Sequence, residues 1–188
     1  MVKAIEGKDL KGKTVVIQGF GNVGSHAAII LTQMGAKVIA IADHLGGMVA
    51  KAGQAIDPVD LKKHVDAGGT LGDYTSGSTE PLTRDQLSSN SIFGLECDIL
   101  IPAAIGGVLT EANAGSIQAK YVIEAANGPC TPEADAIMFQ KGITVVPDIF
   151  ANAGGVTVSF FEWVQNTQQV TRPPANRDNF LPPFLLTP

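Results

Sequence analysis

Cysteine is scarce in this 188-residue chain: Cys97 and Cys130 are the only two, and they form no C-x-x-C pair. That excludes a disulfide-stapled secreted scaffold and reads as reduced thiols in a cytosolic setting. Histidine is also sparse. His26, His44 and His64 share no metal-ligand spacing, so neither a structural nor a catalytic metal is expected. No apolar run approaches the ~20 residues of a membrane span, and no basic-then-apolar leader opens the chain. A cytoplasmic protein with no membrane partner is expected. Positive charge is short as well: 13 basic against 18 acidic residues give a formal charge of -5. A nucleic-acid partner would need a basic face, and none is evident. The length suits one well-packed domain.

Against these absences stands one dense motif. Thr14-Val15-Val16-Ile17-Gln18 reads as a buried strand and runs into Gly19-Phe20-Gly21-Asn22-Val23-Gly24. A G-x-G-x-x-G string alone is weak, but here Val23, Ala27, Ile30 and Leu31 follow at helical spacing. A second strand, Lys37–Ala42, then ends in Asp43, about 19 residues past Gly24, where a dinucleotide fold places its ribose-binding acid. Gly19 permits the tight turn, Gly21 lets backbone amides approach a pyrophosphate, and Gly24 lets the helix lie close to the strand. The positive end of that helix favours a diphosphate. Asp43 would accept from both ribose hydroxyls and repel a 2′-phosphate, which favours NAD over NADP. His44 follows directly and could contact a phosphate, so NADP stays open. The other reading is a β-α-β turn whose glycines only relieve crowding.

A second phosphate-like string is a decoy. Gly7-Lys8-Asp9-Leu10-Lys11-Gly12-Lys13-Thr14 matches G-x-x-x-x-G-K-[ST], but a P-loop must follow a strand and open a helix. This one runs into a strand instead. It reads as a polar lead-in.

Beyond the first β-α-β unit, Gly46–Ala50 suggests a short extra strand, and Asp57-Pro58 an N-cap with proline at the first helical position. That helix is predicted to run to about Asp66. Residues 68–80 read as an exposed loop, and a short helix is expected around Thr83–Ser89. Asp98–Pro102, Tyr121–Glu124 and Ile143–Val146 read as strands; Thr110–Ser116 and Thr131–Lys141 read as helices, the second closed by Gly142. A long segment follows from Ala151 to about Gln168. The alternation predicts an α/β fold of Rossmann type: a doubly wound, mostly parallel sheet with helices on both faces. The dinucleotide-binding domain is expected over residues 1–170, with a Pro-rich tail over residues 171–188.

Four blocks carry a more specific likeness: Gln18–Gly24; Ile101-Pro102-Ala103-Ala104; Glu124–Pro129 with Thr131–Asp135; and Pro147–Val156 with Ser159–Asn166. Together they resemble the cofactor domain of glutamate dehydrogenase, over roughly Gly7 to Gln169. The resemblance implies that Gly19, Phe20, Gly21, Asn22, Val23, Gly24, Asp43 and His44 hold the cofactor. It implies that Ala103 and Ala104 line its floor through backbone, Asn127 lies near the nicotinamide ribose, and Asn152 approaches the nicotinamide amide. Val156 and Ser159 would face a substrate cleft, Ser159 binding the far carboxylate of glutamate. Pro102–Ala104, Ala126–Gly128 and Pro147–Asp148 are also strand exits, where open α/β sheets bind ligands. Plainer roles compete: Asn127-Gly128 is a common turn dipeptide, and Ser159 could bond a carbonyl one turn back.

Dehydrogenases of this kind pair the cofactor domain with an N-terminal domain carrying a substrate-binding lysine, a catalytic lysine and a proton-transferring aspartate. No stretch here matches that domain, so no catalytic residue is assigned. The expectation is NAD(H) binding, with glutamate or 2-oxoglutarate engaged only beside the other domain, no meaningful turnover, and at most weak self-association. A stand-alone dinucleotide-binding or sensing protein is the alternative. After Gln169 the sequence departs from the resemblance, with proline pairs that stop a helix.

Overall fold

The computed structural model describes residues 9–88 and 91–168. Its centre is a seven-stranded sheet of order β4-β3-β2-β1-β5-β6-β7. The strands are β1 (Thr14–Gln18), β2 (Lys37–Asp43), β3 (Gly46–Ala50), β4 (Thr79–Pro81), β5 (Ile99–Pro102), β6 (Tyr121–Ile123) and β7 (Thr144–Val146). Pairings among β2, β1, β5, β6 and β7 are parallel. Those of β3 with β2 and β4 are antiparallel. After β4 the chain crosses to β5 on the other side of β1, which makes β1 the point where strand order reverses.

Successive residues of β1 point to opposite faces, as a strand requires. Val15 and Ile17 join one buried cluster with Val38, Ile41, Leu61 and Leu71. Val16 joins the other, with Ile92, Phe93, Leu100, Val122 and Met138. Helices α1 (Asn22–Gln33) and α2 (Pro58–Asp66) cover the first face. A 3-10 turn (Ser91–Gly94), α4 (Glu111–Ala114) and α5 (Pro132–Gln140) cover the second. A short α3 (Arg84–Ser88) precedes that turn. The fold is the doubly wound α/β sandwich that the alternation predicts.

Local chemistry sets the boundaries. Asp57 caps α2 by accepting from the N–H groups of Val59 (2.9 Å) and Asp60 (3.1 Å), with Pro58 just inside. Thr131 caps α5 through Ala134 N–H at 3.3 Å. Gly142 ends α5 at φ 74°. The predicted helix at Thr110–Ser116 is shorter than expected, Glu111–Ala114, with Thr110 N–H donating to Asn113 Oδ1.

Of the apolar residues at helical spacing in α1, Val23 and Ile30 are about half exposed. The helix buries Gly24, Ser25 and Ala28 instead. Small side chains let its axis approach the sheet, and the close face is chosen by size rather than by hydrophobicity.

Contacts divide the chain after Asn152. In the first unit the last helix is α6 (Asp148–Ala151). The second unit begins with α7 (Ala153–Gln168), which leaves Val156, Val158, Phe160 and Trp163 exposed. The expected domain end at residue 170 and the tail over residues 171–188 lie outside the described residues.

Candidate dinucleotide site

The carboxyl ends of β2, β1, β5, β6 and β7 form one edge of the sheet, and most of the predicted site residues lie along it. Gly19 leaves β1 with φ 100°, its N–H bonded to Ala42 O at 2.7 Å. A side chain there would lie 2.9 Å from the Ala103 carbonyl and from the Ala104 methyl. The turn therefore touches the exit of β5. Gly24 is more constrained: a Cβ at that position would sit 2.0 Å from Gly19 O. Gly21 faces open space, with nothing within 4 Å of its absent side chain.

Gly21 is the N-cap of α1 and offers no side-chain cap, and no acidic residue occupies the first turn. Helix geometry leaves the N–H groups of Asn22, Val23 and Gly24 without an intrahelical carbonyl. This positive end has no acid of its own first turn to offset it, which is the electrostatic requirement for an anion. Phe20 is 5% exposed, its ring packed in the core, so only its backbone is available at the turn. His26 donates from Nδ1 to Asn22 O at 2.7 Å and lies on the surface.

At the neighbouring exit, Asp43 Oδ1 accepts from Leu45 N–H (2.7 Å) and Gly46 N–H (3.1 Å). One carboxylate oxygen thus shapes the β2–β3 turn, and no bond to Oδ2 occurs among the described residues. Asp43 and His44 line a cleft of about 450 Å³ with Gln18, Arg84, Ile105 and Val108. Gln18 and Arg84 are absent from the sequence-derived site. Arg84 comes from a segment 41 residues beyond Asp43 in sequence, and it reaches the cleft because β4 pairs with β3 and Leu82 N–H bonds Gly47 O at 2.8 Å. No local pattern announces that neighbourhood. Gln18 buries its Oε1 with no hydrogen-bond partner among the described residues.

On the other side of β1, Ala103 and Ala104 follow β5, and Ala103 N–H bonds Gln18 O at 2.7 Å. Asn127 follows β6 and Asn152 follows α6. The structure brings these two together: Asn152 Nδ2 donates to Asn127 Oδ1 at 2.7 Å. Gly128 has φ 53°, so the turn role of Asn127-Gly128 is real. Beneath them Cys130 is half-buried, its thiol pushed up by burial and by a hydrogen bond to Glu124. Val156 and Ser159 sit on exposed positions of α7, in the second unit. Thr157, not Ser159, makes the back-bond to a carbonyl, from Oγ1 to Ala153 O at 2.8 Å.

The P-loop look-alike falls elsewhere. Residues 7 and 8 lie outside the described residues, and Lys13 and Thr14 stand at the amino end of β1, bonded to Asp98. Among the described residues no three acidic, cysteine or histidine side chains gather as a metal site. No helix there is long and apolar enough to cross a membrane.

With this geometry in place, comparison with known proteins is informative. The model of the Glutamate/Leucine/Phenylalanine/Valine dehydrogenase family matches residues 1–179. The chain belongs to this family. It is 47% identical over 163 residues to a glutamate dehydrogenase of Thermotoga maritima, across 86% of this chain but 37% of that protein. Among solved structures, the hetero-hexameric glutamate dehydrogenase of Thermus thermophilus superposes with a TM-score of 0.78 at 34% identity, covering 95% of this chain and 40% of that one. The glutamate dehydrogenase of Peptoniphilus asaccharolyticus gives 0.65 at 33% identity, over 89% and 36%. The family member described here therefore spans well under half the length of these relatives.

Proposed function

We propose that these residues form the dinucleotide-binding half of a glutamate dehydrogenase, and that NAD is the preferred cofactor. The observation that carries the reading is the N-terminus of α1, with no acid in its first turn, set behind the Gly19 turn with Asp43 at the next strand exit. In this arrangement the N–H groups of Asn22, Val23 and Gly24 receive the diphosphate, and Gly21 leaves the space it needs. Asp43 Oδ2 accepts from the adenosine ribose. The other half of the dinucleotide then runs over Ala103 and Ala104 toward Asn127 and Asn152.

When bound, the nicotinamide supplies a hydride acceptor. The chain's own residues bind and orient it, but no described side chain is placed to take a proton from an amino group. Paired with a substrate domain, this half would serve oxidative deamination of glutamate to 2-oxoglutarate and ammonia. Val156 and Ser159 are the residues proposed to meet the substrate, through a methyl face and a hydroxyl donor. The 188 residues alone bind NAD without turnover, and behave as a monomer or weak dimer. Asp43 disfavours a 2′-phosphate, while Arg84 supplies a cation and His44 a polar ring to the same cleft, so NADP binds more weakly rather than not at all.

Calorimetric titration with NAD and NADP, followed by a glutamate-dependent NADH assay on the same sample, tests this. NAD tighter than NADP with no NADH produced is the expected outcome. Failure of both dinucleotides to bind would remove the reading, and turnover would remove the division of labour.

A further inference from the structure

The exits of β6 and β7 are joined by a chain of hydrogen bonds that begins in the protein interior. Glu124 is only 8% exposed, and its Oε2 accepts from Asp148 N–H at 2.9 Å. Asp148 in turn accepts from Gly128 N–H at 2.7 Å through Oδ2, and from Ile149 N–H at 2.6 Å through Oδ1. Asp148 O also accepts from Asn152 N–H at 2.9 Å. The same two carboxylates thus hold the backbone on both sides of the Asn127–Asn152 pair. A buried carboxylate is expensive unless it is fully bonded. Glu124, buried, and Asp148, half-buried, together link the two loops and fix them more tightly than side-chain amides on turns would manage alone.

We infer that Glu124 and Asp148 are positioning residues for the nicotinamide half of the cofactor. They set the Asn127 and Asn152 carboxamides in one arrangement while touching no part of the ligand. The inference rests on the dinucleotide reading above. With Asn127 Oδ1 taken by Asn152 Nδ2, the pair keeps one N–H donor group (Asn127 Nδ2) and one carbonyl acceptor (Asn152 Oδ1) outside that bond. A primary carboxamide has the matching acceptor and donor, and the nicotinamide end carries one. Spacing of these two remaining groups depends on both loops, and so on Asp148. The adenosine end, over Asp43 and α1, shares none of these bonds.

This separation makes the test selective. Calorimetry of the 188-residue chain with NAD and with ADP-ribose, which lacks the nicotinamide ring, is compared across Asp148→Ala and Asp148→Asn. Losing a hydrogen bond to a charged group should weaken NAD about tenfold in Asp148→Ala. ADP-ribose should change less than about twofold, the scale of a surface change away from the site. Asp148→Asn keeps an oxygen for Gly128 N–H and should hold NAD within about threefold. Equal losses for both ligands, or an unchanged NAD affinity in Asp148→Ala, would overturn the inference. Should Asp148→Ala not fold, hydrogen exchange in the unaltered chain without cofactor decides: protected Gly128 and Asp148 amides support the inference, and exchange at open-loop rates overturns it. An unaltered chain that binds neither NAD nor ADP-ribose sinks the dinucleotide reading itself. An unaltered chain that binds ADP-ribose and NAD, with no selective loss in the variant, sinks this inference alone.

Discussion

The two ends of the sheet are built on opposite plans. At the amino end, Asp98 closes every loose group near it. Its Oδ1 lies 2.9 Å from Lys120 Nζ and 3.5 Å from Lys13 Nζ. Its Oδ2 accepts from Thr14 N–H at 2.9 Å, and Asp98 N–H returns a bond to Thr14 Oγ1 at 2.9 Å. At the carboxyl end, the first turn of α1 has no cap, Asp43 commits one oxygen only, and Gly21 borders empty space. The same strands thus carry satisfied polar groups at one edge and available ones at the other. Stability and binding are thereby separated by the length of a strand, and changes at the two ends should have different signatures.

The largest effect should come where the two purposes meet, at Gly24. A side chain there collides with the Gly19 carbonyl, so Gly24→Val should destabilise the fold by about 3 kcal/mol or more. Urea denaturation would read this, and binding would fall with it. Gly21→Val is the contrast, because its side chain enters open space. Stability should fall by only about 1 kcal/mol, the scale of replacing a favoured N-cap residue, while NAD affinity falls about a hundredfold as the methyl groups occupy the pyrophosphate's approach. A matching loss of stability in Gly21→Val would erase the distinction between the two glycines.

At the amino end, Asp98→Ala should cost about 2 kcal/mol by removing the acceptor of Thr14 N–H and the anion beside Lys120 and Lys13, with NAD affinity unchanged. Burial alone would raise this carboxyl, but Thr14 N–H and then Lys120 and Lys13 outweigh it and hold it at about 2. Its folded-state value lies below the unfolded one, so its stabilisation is present above about pH 4 and is lost as pH falls toward 2. Acid unfolding of Asp98→Ala should lack that component. The smallest effects belong to the cleft: Asp43→Ser should weaken NAD about tenfold and narrow the gap to NADP. Arg84→Glu should weaken NADP about fivefold and leave NAD within about twofold.

Much of this was legible in sequence because its causes are local. The turn after β1, the acid ending β2, the Asp57-Pro58 cap and the Gly142 stop each depend on a few adjacent residues, and the structure has all of them. The antiparallel direction of β3 was not legible, since a short strand carries no sign of its partner, and β4 begins inside the stretch 68–80 that reads as a loop. Nor was Arg84 beside Asp43, or Asn152 bonded to Asn127, because those neighbours are created by sheet order. The buried face of α1 was not legible for a different reason. Periodicity weighs hydrophobicity, whereas the contact at Gly24 and Ala28 is decided by how closely a helix can approach. Glu124 reads as the end of a strand, and its bonds to Asp148 N–H and to the Cys130 thiol, made by sheet order, explain a carboxylate in the interior.

The central claim is that the open edge binds a dinucleotide and does no chemistry by itself. Calorimetric titration of NAD into the 188-residue chain, with glutamate added afterwards and NADH followed by absorbance, tests it most directly. The account predicts saturable binding of one NAD per chain and no NADH. Absence of binding at millimolar NAD, or steady NADH production, would contradict it.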